Sequence, residues 1–189
     1  MISCFFIFFH EVIMEGCDFM KNVIFSSENL NFVKASMGYI NDYLTMINDP
    51  SIQDFIFVEP IIFSYDDEVE WVKSHVESDV PTYTIVDKDG KFIGTIDFKN
   101  IKSDSAEMGV CITSDSQDKH YGTEAIKRFI DYGFDEFDFG VIYLRVFSHN
   151  SRAIHCYKKI GFVEYDVVKN VKKSNGKDVD EIHMKIKKK

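Results

Sequence analysis

Residues 107–132 read EMGVCITSDSQDKHYGTEAIKRFIDY, and this stretch decides the fold. Its first part, from Met108 to Ile112, is a short apolar run with β-branched residues, which is typical of a strand. A polar turn follows from Thr113 to His120. After the turn, apolar side chains recur at helical spacing, namely at Ala125, Ile126, Phe129, Ile130 and Phe134. The stretch therefore predicts a strand, a polar loop and a helix.

The loop before this helix is a candidate anion site. A loop that enters a helix N-terminus can present unpaired backbone N–H groups in one direction, and the helix dipole adds partial positive charge there. Gly122 lets the backbone approach a ligand closely. Thr123 and Glu124 suit the exposed amides of the first helical turn. The alternative is a simple connection, since many such loops bind nothing.

The composition predicts one globular domain with an acidic surface. The chain has 189 residues, of which 45% are hydrophobic and 28% are charged. Its 22 basic and 31 acidic side chains give a net charge of −9, which argues against a general nucleic-acid binder. The negative charge could attract a cationic substrate, such as a polyamine or a basic peptide, or it could serve solubility alone.

Cysteine and histidine usage indicates the compartment and the absence of a metal. Cys4, Cys17, Cys111 and Cys156 form no C-x-x-C pair and predict no disulfide framework. We therefore expect the protein in a reducing cytoplasm. The histidines lack a metal-binding spacing such as H-E-x-x-H, so no metal site is expected.

The N-terminal residues differ in composition from the rest of the chain. Ile2 to Phe9 is almost wholly apolar, but it is too short to span a bilayer and no basic residue precedes it. We interpret residues 1–19 as an over-extended N-terminus, with Met20 as an ordinary start, and residues 20–189 as the single domain. The alternative is an extra strand or an interaction segment that covers an apolar surface. No membrane partner is expected.

The first part of the domain predicts one strand and two helices. Val23 to Phe25 and Leu30 to Val33 suggest a first strand with a bend. A helix follows this strand and is stopped by Pro50. Ile52 to Phe63 is apolar and interrupted by Pro60, so it is expected to be loop with short structure. The acidic residues 66–68 lie at the start of the second helix, where the dipole favours carboxylates. They could steer an amine, but capping of the helix explains them fully.

The remaining elements surround the quoted stretch. Antiparallel strands precede it, with Asp87–Gly90 as a hairpin turn. Val141 to Phe147 is the strand after the central helix, and its helical connection predicts that it lies parallel to the strand before that helix. A short helix then ends at Gly161, and Asn175-Gly176 turns the chain into the last strand.

Two stretches resemble motifs of the GNAT superfamily of N-acetyltransferases. The first part of the quoted stretch, up to Ala125, resembles motif A, and residues 150–162, NSRAIHCYKKIGF, resemble motif B. Motif B is the more specific, because Asn150 is followed seven residues later by Tyr157 and then by Gly-Phe. Within the superfamily, the chain most resembles the ribosomal-protein N-terminal acetyltransferases and the bacterial spermidine acetyltransferases.

This resemblance implies a fold. It is the GNAT-like acyl-CoA N-acyltransferase fold, an α/β (α+β) domain with a mixed, twisted sheet of about seven strands flanked by about four helices. The order of elements agrees with this fold from about residue 20 to the end of the chain. Parallel neighbours that splay apart after the quoted strand would open a slot for a thioester.

The resemblance also implies acetyl-CoA as the donor. In the loop, backbone N–H groups would hold the diphosphate, and the residues concerned are Gln117, Asp118, Lys119, His120, Tyr121, Gly122 and Thr123. The strand backbone at Val110, Cys111 and Ile112 would pair with the pantetheine arm, and Asn150 would hydrogen-bond the donor. His120 stands where the family has its first loop glycine, which costs energy if the position needs a positive φ.

Acetyl transfer to an amine needs two proton movements. The amine must lose a proton before it attacks, and the thiolate leaving group gains one. Tyr157 matches the family's general acid, and a packed core aromatic is the alternative. Glu107 is a candidate base, directly or through water, with an ordinary strand carboxylate as the alternative. The backbone N–H of Cys111 or Ile112 could meet the developing oxyanion.

We therefore expect an acetyl-CoA-dependent N-acetyltransferase that acts on a primary amine by direct attack in a ternary complex. The acceptor is a protein N-terminal amine or a small amine, and a polyamine of the spermidine type is the alternative. A degenerate domain that binds CoA or a partner without turnover is the rival that is not an enzyme. We expect no nucleic-acid partner, and a homodimer is one candidate assembly.

Overall fold

A computed structural model describes residues 22–76 and 78–189. The N-terminal extension that we inferred at residues 1–19 lies outside these described residues, and so does Met20. The domain boundary therefore stays a prediction.

The described residues form one mixed sheet of eight strands in the order β1-β2-β3-β4-β5-β6-β8-β7. The strands are β1 (Val23–Ser26), β2 (Leu30–Lys34), β3 (Thr82–Asp87), β4 (Phe92–Lys102), β5 (Ser105–Ile112), β6 (Val141–Phe147), β7 (Val163–Ser174) and β8 (Lys177–Lys187). The sheet has more strands than expected because the first apolar segment is not one bent strand. Ser27 N–H donates to the Leu30 carbonyl at 2.9 Å, and this turn reverses the chain into an antiparallel pair.

Five α-helices flank the sheet in the described part of the chain. They are α1 (Ile40–Ile47), α2 (Pro50–Ile56), α3 (Tyr65–Val76), α4 (Tyr121–Glu136) and α5 (Ser151–Ile160). Of the segment Ile52 to Phe63, expected to be loop with short structure, the first part belongs to α2 and residues 57–63 are loop. Asp49 caps this helix through a hydrogen bond from the Ser51 N–H at 2.8 Å, and proline occupies the first turn, where no N–H is needed. Gly161 ends α5 at φ 119°, as predicted.

Helices cover the sheet on both faces. On one face, α4 and α5 pack on the main core, in which the Phe98 and Phe129 rings stack with centroids 4.0 Å apart. On the other face, α1, α2 and α3 build a smaller core with Tyr43 and Trp71. Alternation along β5 sends its apolar side chains to the main core, whereas Cys111 faces the smaller one.

The parallel pair β5–β6 separates early. The two strands pair only at residues 105–107 with 141–143, whereas β5 stays paired with β4 as far as Ile112. The prediction that these strands are parallel neighbours is confirmed. The far half of β5 therefore has an open edge, and a wedge-shaped gap lies between it and β6.

The first turn of α4 is tied to the other end of the sheet. The Glu124 carboxylate accepts hydrogen bonds from the Ser27 hydroxyl and the Asn29 N–H, both at 2.7 Å. Glu124 thus lies in the first helical turn as predicted, but its carboxylate holds the β1–β2 turn. Among the described residues, no helix is both long and apolar enough to cross a bilayer.

Candidate active site

A cavity of about 430 Å³ lies at the wedge between β5 and β6, and we call it the loop cavity. It is lined by the end of β5, the loop before α4, the first turn of α4, one side of α5 and part of α2. The lining residues are Ile52, Phe55, Ile56, Val110, Cys111, Ile112, Gln117, Asp118, His120, Gly122, Thr123, Ile126, Asn150, Arg152, Ala153, His155, Cys156, Tyr157 and Lys159.

Most of the residues that the sequence assigned to the site come together in this cavity. Tyr157 and Asn150 line it, together with the three β5 residues and most of the loop. Lys119 and Tyr121 belong to the same loop but do not line the cavity. Glu107 does not line it either.

The loop before α4 presents its backbone as an anion site. The N–H groups of residues 118–123 donate to no protein acceptor in the described part of the chain, and the Gln117 N–H, in contrast, reaches the Ser114 carbonyl at 3.3 Å. Asp118 has φ 60° and His120 has φ 66°, so both bend the backbone through the left-handed region. His120 thus adopts the positive φ that a glycine would accept at lower cost.

The open edge of β5 offers main-chain groups to the same cavity. The Thr113 N–H donates to the Ile93 carbonyl at 3.0 Å, and alternation in an antiparallel ladder then turns the N–H groups of Val110 and Ile112 away from β4, into the wedge. Of the two N–H groups considered for the oxyanion, only that of Ile112 has this direction. The Gln117 side chain donates to the Ile112 carbonyl at 3.0 Å and anchors the loop to the strand.

Asn150 begins α5 and lines the loop cavity. Its Oδ1 accepts a hydrogen bond from the Ala153 N–H at 3.1 Å, which caps the helix. The side-chain NH₂ has no hydrogen-bond partner among the described residues. It is therefore free to donate to a ligand.

Tyr157 is buried in the wall of the loop cavity, with 8% of its surface exposed. Burial raises the pKa of its phenol above the ordinary value, and the nearby thiols of Cys156 and Cys111 add to the rise. The hydroxyl is therefore protonated at neutral pH and can act as a proton donor. Burial also raises the pKa of the Cys111 thiol to about 12, so this cysteine is not a nucleophile at neutral pH.

Glu107 occupies a different environment from the one expected of a base. Its Oε1 accepts hydrogen bonds from Arg145 at 2.9 Å, and its Oε2 accepts one from Asn100 at 2.9 Å. Partial burial raises the pKa of Glu107, but the hydrogen bonds and the nearby positive charges outweigh burial and keep this pKa below its ordinary value. The structure therefore does not bring Glu107 together with Tyr157, and its carboxylate is already neutralised by Arg145.

A second cavity, of about 280 Å³, lies on the α1–α3 side of the sheet, and we call it the acidic cavity. It is lined by Tyr43, Met46, Ile47, Phe57, Phe63, Glu68, Trp71, His75, Thr82, Thr95 and Asp97. Glu68 is only 6% exposed, and burial raises its pKa, with a smaller contribution from Asp67. Burial raises the pKa of Asp97 as well, against the influence of Lys99 and His75.

These carboxylates lack hydrogen-bond donors in the described part of the chain, and Lys99 and His75 only partly offset the effect of burial on Asp97. Within the described residues, no side chain donates a hydrogen bond to Glu68 or Asp97, and the Thr82 hydroxyl beside them is buried without a partner. Such groups are costly to bury, so they indicate a ligand that carries positive charge and hydrogen-bond donors.

Sequence reasoning missed Asp97, although a signal was present. Asp97 stands inside an apolar strand, where aspartate is rare, and its ladder partner is Gly109. A Cβ atom at Gly109 would collide with the Asp97 carboxylate. A glycine inside a strand often marks such a close approach.

The two cavities meet at the β4–β5 ladder. Cys111 of the loop cavity is the direct partner of Thr95 of the acidic cavity. Directly opposed residues in antiparallel strands have Cα atoms about 4.5–5.5 Å apart. The two cavities are therefore neighbours, one with main-chain donors for an anion and the other with carboxylates for a cation.

Comparison with known proteins agrees with this arrangement. The family model of the acetyltransferase (GNAT) domain matches residues 30–163, which is more than half of the chain. The chain belongs to the GNAT acetyltransferase family. It is accordingly an acyltransferase that transfers an acetyl group from acetyl-CoA to an amine, and the GNAT fold predicted from its two motifs is confirmed.

Two relatives of this GNAT enzyme carry the name of a polyamine acetyltransferase. Spermidine N(1)-acetyltransferase of Vibrio cholerae is 30% identical over 120 residues, which are 62% of this chain and 69% of that protein. The protein of the same name from Escherichia coli strain K12 is 31% identical over 120 residues, which are 61% of this chain and 62% of that protein.

Solved structures agree in fold. Spermidine N-acetyltransferase from Vibrio cholerae, in complex with CoA and spermine, matches with a TM-score of 0.78 and 26% identity, over 85% of this chain and 96% of that chain. A GNAT acetyltransferase from Bacillus anthracis matches with a TM-score of 0.75 and 20% identity, over 86% of this chain and 96% of that chain. The second likeness shows the fold alone.

Proposed function

We propose that this enzyme acetylates a linear aliphatic polyamine of the spermidine type, held in the acidic cavity. The observation that carries this proposal is the pair Glu68 and Asp97, two carboxylates that accept no hydrogen bond from a described side chain and line one cavity with four aromatic residues. Carboxylates attract ammonium groups, and aromatic faces such as that of Trp71 attract cations. The methylene segments of a polyamine suit the apolar part of the wall.

The relatives support this acceptor class. Two similar proteins are named spermidine acetyltransferases, and a similar structure holds spermine together with CoA. The acceptor itself is our proposal for this chain. A protein N-terminus, which the sequence left open, carries a single ammonium group and would leave one of the two carboxylates without a cation.

We place acetyl-CoA in the loop cavity. The N–H groups of residues 118–123 suit its diphosphate, the main-chain groups of Val110 and Ile112 suit the amides of its pantetheine arm, and the Asn150 amide is free to donate. When bound, the donor supplies an activated thioester. Both Lys119 and Tyr121 lie outside the lining, so we assign them only their backbone N–H groups.

Two side chains then serve as the base and the acid of the reaction. Asp97 replaces Glu107 as our candidate base, because it lines the acceptor cavity and has no ion pair with an arginine. It receives the proton that the ammonium must lose before attack. Tyr157 keeps its proton at neutral pH and gives it to the leaving thiolate. The Ile112 N–H faces the wedge and can meet the developing negative charge.

An acceptor screen tests the proposal. We expect turnover with acetyl-CoA and spermidine or spermine, and at least tenfold lower kcat/KM with peptides that have a free N-terminus. Glu68→Gln should raise the KM for spermidine about tenfold or more, because it removes a buried charge that pairs with an ammonium. Asp66→Asn is the matched control on the same helical turn, where the side chain is exposed and lines neither cavity.

The same screen can contradict the proposal. Equal or better turnover of N-terminal peptides would assign the enzyme to protein acetylation. An unchanged KM in Glu68→Gln would remove the acidic cavity from acceptor binding. Binding of CoA without turnover of any amine would favour the degenerate domain.

We infer a reducing compartment, namely the cytoplasm. The two cysteines in the described part of the chain, Cys111 and Cys156, are free thiols in the wall of the loop cavity. Fractionation of cells that produce the protein tests this inference, and recovery outside the cytoplasm would contradict it.

A homodimer is the assembly that we propose. β7 is an edge strand of the sheet and exposes Val163, Tyr165 and Val168, by 58%, 45% and 42%. Two copies could cover this strip by a twofold contact. Sedimentation should give twice the mass of the chain, and in Tyr165→Lys the measured mass should fall to that of the monomer. A monomer mass for the unmodified protein would contradict the proposal.

A further inference from the structure

The exposed rim of the loop cavity is basic. Arg152, His155 and Lys159 of α5 all line this cavity and are exposed, whereas Tyr157 on the same helix is buried. Residues three and seven positions apart share one face of a helix, so these side chains form a row along α5. We call this row the basic rim. His120 lies in the lining as well.

The charge of the basic rim is largely unused within the protein. In the described part of the chain, His155 and Lys159 form no ion pair. Arg152 approaches Asp118 with Nη1 and Oδ1 3.7 Å apart, and the two side chains are 49% and 83% exposed, so this contact is weak. The adjacent Lys158, in contrast, is engaged by Glu164 at 2.7 Å.

The basic rim contrasts with the rest of the molecule. The chain carries a net charge of −9, yet Asp118 is the one acidic side chain among the described residues that line the loop cavity. Local basic charge on an acidic protein indicates an anionic ligand group at that place. The main-chain donors of residues 118–123 already suit one diphosphate, so the side chains of the rim are available for a further phosphate.

We propose that Arg152, His155 and Lys159 bind the 3′-phosphate of acetyl-CoA and make the enzyme discriminate against the 3′-dephospho donor. This inference rests on the donor placement in the loop cavity proposed above. CoA carries, besides its diphosphate, one phosphomonoester on the ribose. A phosphomonoester has close to two negative charges at neutral pH and is matched by arginine and lysine side chains. The other use of the rim would be to add charge around the diphosphate.

The experiment compares two ligands that differ only in the phosphomonoester. Isothermal titration calorimetry measures CoA and 3′-dephospho-CoA binding to the full chain without any amine. We expect CoA to bind at least about tenfold more tightly, and we expect Arg152→Ala/Lys159→Ala to reduce this ratio to about two or less. The affinity for 3′-dephospho-CoA should stay within about twofold. Lys158→Ala, next to the rim but paired with Glu164, should keep the ratio of the unmodified protein.

The remaining outcomes overturn the inference. A ratio near one in the unmodified protein, or a ratio that persists in the double variant, means that the rim does not read the 3′-phosphate. If the double substitution weakens the binding of both ligands equally, the rim binds the diphosphate that they share. If neither ligand binds to the unmodified protein, the donor placement fails as well, which distinguishes this result from failure of the rim alone.

Discussion

Burial acts on two single residues of the site with opposite consequences. It raises the pKa of the Tyr157 phenol, which keeps the proton on the hydroxyl of the donor that we propose. It also raises the pKa of Asp97, which disfavours the ionised form that a base needs. An ammonium bound beside Asp97, as we propose, would restore its ionisation, so the base would be ready when the acceptor is present.

Replacement of the phenol separates chemistry from binding. Tyr157→Phe should lower kcat about 10²-fold or more and leave the Kd of acetyl-CoA unchanged, because the hydroxyl serves only the leaving thiolate. Single-turnover rates and calorimetry measure the two quantities. Tyr143→Phe is the control, since Tyr143 lines neither cavity. An unchanged kcat in Tyr157→Phe would remove this residue from the mechanism.

Asp97 should lower stability at neutral pH. Its pKa in the folded protein is raised above the unfolded value of about 3.9, so between these values the folded state binds more protons and stability falls as pH rises. Asp97→Asn removes this dependence. The variant should therefore be more stable than the unmodified enzyme at pH 7–8, and the gain should shrink as pH falls towards the unfolded pKa.

Urea unfolding from about pH 5 to pH 8 measures this difference. Asp66→Asn, on an exposed side chain, should show no such trend. A loss of stability in Asp97→Asn at pH 8 would mean that the carboxylate makes contacts that offset its burial.

At the level of residues, the sequence predicted the local motifs of the site but not the contacts between side chains far apart in the chain. Tyr157, Asn150 and the loop follow from two short stretches, and the structure gathers them in one cavity. Glu107 was a candidate base with an ordinary strand carboxylate as the alternative, and only the fold shows that Arg145 neutralises it. Helix capping explains Glu68 from the sequence, and only the fold shows that it lines one cavity with Asp97.

At the scale of elements, α2 is held in place from the opposite end of the chain. The Lys172 Nζ of β7 donates to the Asp54 carbonyl at 2.7 Å, to the Asp54 carboxylate at 3.1 Å and to the Phe57 carbonyl at 2.8 Å. His149 and Ser174 also reach Asp54. α2 contributes to the loop cavity, and Phe57 at its end lines the acidic cavity. The last hairpin thereby positions a wall shared by both cavities.

Loss of this anchor should cost stability and acceptor affinity. Lys172→Met should lower the free energy of unfolding by about 1–3 kcal/mol, because it leaves buried acceptors without their donor. The KM for the amine should rise as well. Lys173→Met is the matched control: its ion pair with Asp178 is exposed, so its loss should cost at most about 1 kcal/mol. Equal losses in the two variants would contradict the anchoring role.

Two elements escaped sequence reasoning for physical reasons. Proline ends a helix but also fits the first turn of the next one, and Pro50 does the latter. Residues 26–29 carry no two-residue turn signature, so the reversal between β1 and β2 was read as a bend. The hairpin is then fixed by a contact from far away in the chain, the Glu124 carboxylate on Asn29.

For the whole molecule, charge separation organises function. In our proposals, the acidic body and the acidic cavity attract a polycation, whereas the basic rim attracts the anionic donor. This arrangement appears in the sequence only as a net charge of −9, and it takes the fold to divide the charge between two cavities. We therefore expect the acceptor's association to depend on ionic strength.

The salt dependence of acceptor use tests the field of the acidic body. Between about 20 and 200 mM NaCl, kcat/KM for spermidine should fall several-fold, because screening weakens long-range attraction of a polycation. A monoamine acceptor, with a single charge, should show a smaller fall. Steady-state assays at saturating acetyl-CoA measure both. Equal falls for the two acceptors would indicate a general salt effect on the enzyme.

The early separation of β5 from β6 links the stability of the enzyme to the supply of its donor. In the donor placement that we propose, the pantetheine arm is the hydrogen-bonding neighbour that this half of β5 lacks, so the bound ligand completes the sheet edge. At a concentration a hundred times its Kd, a ligand that binds only the folded chain adds about 2.7 kcal/mol. The lifetime of this enzyme against proteases should therefore follow the acetyl-CoA supply of the cell, being longest in rich nutrition and shortest in starvation.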